Sequence, residues 1–163
     1  MNNHYEETKD QLITEFTKTI ELFGLSTLES RLFAYLYITN EPKTLDDMSE
    51  ALGKSKTAMS TSIRSLAHLN LVSQVWKKGV RKDVYKANSQ LFKLFINFYM
   101  RKWIDSTAQQ KEALEELAEE ANKLRYNEDD TGEHAELLTR IDDIMTFHDD
   151  LLVTFNDLKK GVR

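Results

Sequence analysis

Apolar residues recur at helical spacing through most of this chain, and the interruptions fall at a few glycines, asparagines and one proline. Between about Tyr5 and Phe23, Leu12, Ile13, Phe16, Ile20 and Phe23 form one apolar face with a polar back, and Gly24 closes the run. Ser26, with Glu29 three residues on, has the form of a capping box. The helix it starts carries Leu28, Leu32 and Leu36 as a core stripe, with Tyr35 beside it and a second, aromatic stripe of Phe33 and Tyr37 one turn apart. Such stripes are usually packing. Asn40-Glu41-Pro42-Lys43 reads as a turn, because proline disfavours helix in the preceding residue and has no N–H to donate.

From Thr44 the pattern shortens. Thr44 is placed as an N-cap with Asp47 three residues on, and Leu45, Met48 and Leu52 line one face of a short helix. Gly53 suits a tight or left-handed turn, and Ser55 can cap a second helix running to about Leu69, whose buried face is Met59, Ile63 and Leu66. Two short helices joined this way make a helix-turn-helix. The opposite face of the second helix and the turn before it carry Lys54, Ser55, Lys56, Thr57, Ser60, Thr61 and Arg64. These side chains can donate to phosphates or base edges, and no carboxylate interrupts them.

Asn70 falls where the helix must end in a left-handed residue. Leu71, Val72, Val75 and Trp76, then Val84 and Tyr85, give two β-prone runs. Between them Lys77-Lys78-Gly79-Val80-Arg81-Lys82 reads as a hairpin tip, with Gly79 for the turn and cations at Lys77, Lys78, Arg81 and Lys82. The layout is that of a wing.

After the wing, Asn88 or Ser89 can cap a long helix from Gln90 to about Arg125, with no proline or glycine to stop it. Its first half holds Phe92, Phe95, Phe98, Tyr99 and Trp103, with 92, 95, 99 and 103 grouped on one side. So many rings exceed what a solvated helix leaves exposed, so they face the DNA-binding module, a partner subunit or a ligand. Leu114, Leu117, Ala121 and Leu124 continue at three-four spacing beside an acidic flank. Tyr126 to Glu133 reads as a loop, and a last helix from about Ala135 to Leu158 repeats Leu138, Ile141, Met145, Leu152, Phe155 and Leu158, widened by Leu137, Ile144 and Leu151. Helices patterned this way rarely stand alone. With the N-terminal helix they predict a homodimer of interlocked helices.

Composition narrows the alternatives. The chain has 163 residues, a single proline (Pro42) and five glycines, which favours long helices over a sheet-based fold. It contains no cysteine, which excludes a disulfide framework, a thiol nucleophile and a cysteine zinc site. No signal peptide and no membrane-length apolar run is visible, so a cytoplasmic protein is expected. His4, His68, His134 and His148 show no metal-ligand spacing, and neither a phosphate loop nor a nucleophile motif appears. We therefore expect no enzyme, no metal and no cofactor.

Charge is segregated. The net charge is −5, yet Lys54 to Lys86 holds eight Lys/Arg against the single acid Asp83, a local balance of +7 that leaves −12 on the rest. A basic loop by itself is usually just solvated. One basic face on an acidic protein is what phosphate-backbone binding requires.

Leu52-Gly53-Lys54-Ser55-Lys56, with Met59-Ser60, Ile63, Leu66 and Leu69-Asn70-Leu71-Val72, resembles the MarR-type winged-helix pattern. Val75-Trp76-Lys77-Lys78-Gly79, Arg81-Lys82-Asp83 and Lys102-Trp103 resemble its GbsR branch, repressors of glycine betaine synthesis and choline uptake. The resemblance implies a homodimer on a palindromic operator in double-stranded DNA, the second helix of each helix-turn-helix in the major groove and Arg81 or its neighbours at the minor groove. It also implies choline as the effector. A quaternary ammonium cannot donate a hydrogen bond and is held by aromatic faces, for which Phe33, Tyr37, Phe95, Tyr99 and Trp103 are the candidate cage.

The expected fold is mainly α with a small β wing: an N-terminal helix in 1–24 contributing to dimerisation, a winged helix-turn-helix in 25–88, and a linker helix with helical dimerisation region in 89–163. Two rivals remain. A MarR-like regulator of another small molecule would share the architecture, whereas a helical adaptor without DNA binding would leave the +7 segment and the capped turn without a use.

Overall fold

In the computed structural model, which describes residues 2–124 and 132–162, three helices follow the hydroxyl residues Ser26, Thr44 and Ser55 that mark their starts. In order the elements are α1 (Asn2–Glu21), α2 (Thr27–Thr39), β1 (Lys43–Thr44), α3 (Leu45–Leu52), α4 (Lys56–His68), β2 (Val72–Val75), β3 (Val84–Ala87), α5 (Leu91–Leu124) and α6 (Gly132–Gly161). Ser26 and Thr44 both close reciprocal capping boxes. The Glu29 N–H donates to Ser26 Oγ and the Ser26 N–H to Glu29 Oε2 at 2.9 Å, while the Thr44 N–H donates to Asp47 Oδ2 at 2.7 Å. Ser55 Oγ accepts from the Ala58 N–H at 3.2 Å and starts α4. Each such cap is typically worth ~1 kcal/mol, because it satisfies an N–H that the helix cannot.

The capping carboxylates are held ionised. The Thr44 backbone N–H keeps the Asp47 carboxyl below its ordinary range. Burial alone would raise Glu29, but hydrogen bonds from Ser65 and from the Ser26 backbone and hydroxyl outweigh it and hold it low.

The chain divides into two compact units, Met1–Phe95 and Ile96–Arg163. In the first, the buried stripe of α4, Met59, Ile63 and Leu66, packs with Leu32, Phe33 and Leu36 of α2, Met48 and Leu52 of α3, and Ile20, Leu25, Leu71, Val72 and Phe95. Gly53 (φ 63°) and Asn70 (φ 58°) both take the left-handed conformation. At Asn70 the Leu71 N–H donates to the Leu66 carbonyl at 2.9 Å and the Asn70 N–H to that of Ala67 at 3.0 Å. This double bond pattern satisfies the last carbonyls of α4 and sends the chain into the hairpin. β2 and β3 pair antiparallel with Val72 opposite Ala87 and Val75 opposite Val84.

Two features differ from expectation. The turn at Asn40–Lys43 runs into β1, which pairs with β3 to give the sheet order β1-β3-β2; Thr44 is thus a strand end and a helix cap at once. Two residues carry no alternation from which a strand can be read. Asn88 does not cap α5. Its backbone N–H donates to the Leu71 carbonyl at 2.9 Å, its side-chain amide to that of Asn70, and its Oδ1 accepts from Ser73 Oγ, so it closes the base of the hairpin. Leu12 and Phe92 are both exposed in the single chain, where a partner subunit was among the surfaces expected to meet their faces. Phe92 and Phe95 stand about 60° apart around the helix, enough to bury one and not the other.

In the second unit the remainder of α5 and α6 run antiparallel, with Trp103 opposite Phe155 and Lys111 Nζ on Asp149 Oδ1 at 2.7 Å. Met100, Thr107, Ala121 and Phe155 are buried, but Leu117, Leu137, Ile144, Phe147, Val153 and Leu158 are largely exposed. Of the loop expected at Tyr126–Glu133, residues up to 131 lie outside the described residues, and Gly132 and Glu133 already belong to α6.

Candidate nucleic-acid interface

Because Met59, Ile63 and Leu66 point into the core, the other side of α4 must face outward. Lys54, Ser55, Lys56, Thr57, Thr61 and Arg64 are exposed there and Ser60 is half-buried. The polar groups on this face are pre-arranged along the helix. Thr61 Oγ1 donates to the Thr57 carbonyl at 3.1 Å, and the Arg64 guanidinium lies along the helix with Nε on the Ser60 carbonyl and a terminal nitrogen on Ser60 Oγ, both at 3.1 Å.

The wing tip turns at Gly79 (φ 83°), where the Val80 N–H donates to the Lys77 carbonyl at 3.1 Å. Glycine takes this conformation without the steric cost other residues bear. Lys77, Lys78, Arg81 and Lys82 are all exposed around it. The lone acid of the basic segment, Asp83, accepts from Gln74 Nε2 at 2.7 Å.

The two groups of cations form one surface. Asp46, in the first turn of α3, pairs with Lys56 at the start of α4 and with Lys82 of the wing. Around that carboxylate a shallow groove is lined by Leu45, Asp46, Lys56, Arg81, Lys82 and Asp83. Lys54, Lys78 and Arg81 enter none of the ion pairs among the described residues, which leaves their charge for an incoming phosphate. Asp46 is the residue that reading the sequence missed. It stands outside the basic segment, and nothing local shows that it reaches across 36 positions to Lys82.

The five candidate cage rings fall in both units. In the first, Phe33 is wholly buried, edge-on to Phe95 at 5.5 Å, while Phe95 lies 4.4 Å from Phe23; Tyr37 is half-buried 5.5 Å from Phe16. In the second, Tyr99 and Trp103 are 5.5 Å apart and Trp103 meets Phe155 at 5.0 Å, with 43% of Trp103 still exposed. Phe33 and Phe95 are thus core, and Tyr99 and Trp103 retain accessible ring surface. Among the described residues no three His, Asp or Glu side chains converge as metal ligands, and no helix is long and apolar enough to cross a membrane.

No family model matches the chain. It is similar to three proteins of Bacillus subtilis (strain 168). The HTH-type transcriptional repressor OpcR is 29% identical over 136 residues, covering 83% of this chain and 74% of that protein. The HTH-type transcriptional repressor GbsR is 33% identical over 124 residues, covering 76% and 68%. The putative HTH-type transcriptional regulator YvaV is 33% identical over 98 residues, covering 60% and 55%. Among solved structures, a transcriptional regulator superposes with a TM-score of 0.51 at 17% identity, covering 94% of this chain and 99% of that one, a likeness of fold. These relatives are regulators rather than enzymes, and the surface built by α4 and the wing is of the kind a DNA-binding regulator needs. The chain belongs to the HTH-type transcriptional repressor family of which OpcR and GbsR are members.

Proposed function

We propose that this repressor acts as a cytoplasmic homodimer on a palindromic operator and that choline, or a close quaternary ammonium, controls its grip. The observation that carries the DNA half is the continuous basic surface from Lys54 in the turn before α4 and Lys56 and Arg64 on α4 to Lys77, Lys78, Arg81 and Lys82 on the wing, joined around Asp46. Phosphate contacts from both elements would set the register, while Ser55, Thr57, Ser60, Thr61 and Arg64 reach base edges in the major groove.

Support for a dimer comes from exposed apolar rows. On α6, Leu137, Ile144 and Leu158 are exposed at multiples of seven with half-buried Leu151 completing the series; on α1, Tyr5 and Leu12 repeat the spacing. A heptad row facing solvent is the pattern of a helix waiting for another helix. A second copy would cover it and place two recognition helices on two half-sites.

For the effector, the support is the GbsR-like residues of the wing together with the ring surface of Tyr99 and Trp103, backed by Phe155. A desolvated cation–π contact contributes roughly 0.5–2 kcal/mol, so two or three faces suffice for a useful affinity. The effector acts by preferring one arrangement of the two recognition helices, a coupling typically worth about 1–3 kcal/mol, and we assign it the sign of release. A gel-shift titration on the region upstream of the protein's own gene, with and without choline, tests the whole reading: a retarded complex that choline dissolves is expected. No complex at all refutes DNA recognition there, and a complex indifferent to choline refutes the effector.

A further inference from the structure

Trp76 leaves 81% of its surface in solvent, the largest exposed fraction of any large apolar side chain among the described residues. An indole left in water forgoes one of the largest hydrophobic gains any side chain offers, which makes an exposed one informative. It follows Val75, the last residue of β2, and precedes Lys77. It lines a groove with Lys77, Val80, Arg81 and Lys82, and the last two also line the groove that reaches Lys56 on α4. Trp76 thus shares a groove with three cations of the wing, Lys77, Arg81 and Lys82.

We propose that Trp76 is a DNA-contacting residue that inserts into the minor groove beside the site read by α4. The step rests on the DNA-binding reading above and adds to it an apolar contact. The cations that share the groove of this exposed ring bring phosphates beside it. Between its two phosphate rails a duplex offers sugar walls and base edges, apolar surface that an indole can cover. The minor groove is only about 6 Å wide, too narrow for a helix but open to a flat ring presented on a hairpin. Apolar side chains wedged there unstack or widen base steps, and the cost depends on the sequence being deformed. Trp76 would thus contribute preference at flanking base pairs that α4 does not touch.

The experiment compares full-length wild type, Trp76→Ala, Trp76→Phe and Lys78→Ala on the upstream duplex and on sheared genomic DNA, reading fluorescence anisotropy across a salt series together with tryptophan emission. Trp76→Ala should weaken upstream binding about tenfold or more, the scale of one lost aromatic contact to a base, with the slope of log affinity against log salt unchanged because no charge is removed. Trp76→Phe should recover most of that loss. Lys78→Ala should instead lower the slope by roughly 0.9, the value for one phosphate contact. DNA should quench the wild-type emission, and the quenching should be absent in Trp76→Phe. Trp76→Ala and Trp76→Phe that bind DNA as tightly as wild type, with the DNA-induced quenching retained, overturn the proposal and leave DNA binding standing. An emission shift with protein concentration in the absence of DNA that is lost in Trp76→Phe, and so does not come from Trp103, assigns the ring to a contact between copies and also overturns it. Wild type that binds neither DNA refutes the reading on which the proposal rests.

Discussion

Asp46 Oδ2 lies 2.5 Å from Lys82 Nζ, so a carboxylate from the first turn of α3 holds a cation of the wing 36 residues away while also pairing with Lys56 of α4. One acid thereby bridges the two elements proposed to grip DNA, and it occupies two cations that phosphates would otherwise engage. Both pairs are solvent-exposed, so each is worth little by itself. Their consequence lies in competition.

Asp46→Asn should therefore tighten DNA binding and steepen its salt dependence. The gain should be roughly threefold to tenfold at low salt, as expected when two exposed pairs of ~0.2–1 kcal/mol no longer compete with the duplex. Anisotropy titrations at several salt concentrations measure it. Weaker binding would mean that the carboxylate serves chiefly to position the wing.

Arg64→Ala and Arg81→Ala should each weaken upstream binding by about 1–3 kcal/mol without lowering the melting temperature, since both side chains are exposed and neither packs in the core. Unchanged affinity in both variants would remove the α4–wing surface as the contact face.

Leu137→Glu with Ile144→Glu should convert a dimer to a monomer in analytical ultracentrifugation and weaken operator binding with it, because both charges fall in the exposed heptad row of α6. Persistence of the dimer would place the interface elsewhere.

Trp103→Ala should abolish the heat of choline binding in calorimetry, while Trp103→Phe should keep most of it, since a ring face remains for the cation. Phe33→Ala should behave differently. That ring is wholly buried, so its loss should destabilise the first unit by about 3–5 kcal/mol through the cavity it leaves.

Acid should destabilise the first unit through Asp47 and Glu29. Both carboxyls are held below their ordinary values of 3.8 and 4.5 in the folded chain, so folding favours their charged forms. The stability they lend is complete above those ordinary values and is lost as pH falls through the lowered ones. Melting followed by circular dichroism should show the midpoint falling below about pH 4.5, and the Asp47→Asn, Glu29→Gln double variant should flatten that fall. An unchanged profile would assign the acid sensitivity to other groups.

The helix starts, the left-handed turns and the buried stripe of α4 were legible in the sequence because each is decided within one turn of backbone. Ser26, Thr44 and Ser55 each satisfy an N–H three residues away, and Gly53, Asn70 and Gly79 take positive φ for local steric reasons. The charge segregation of Lys54 to Lys86 needed only counting. Tertiary structure decided what depends on distant partners. β1 exists only because β3 passes beside Lys43 and Thr44; Asn88 closes the hairpin because Asn70 and Leu71 lie across from it; and Asp46 joins α4 to the wing only once Lys82 has been folded back onto it. The aromatic residues show the same division. Helical spacing could group Phe92, Phe95, Tyr99 and Trp103, but burial of Phe95 against Phe23 and Phe33, exposure of Phe92 and the contact of Trp103 with Phe155 are set by which surfaces meet, and periodicity within one helix carries no information about that.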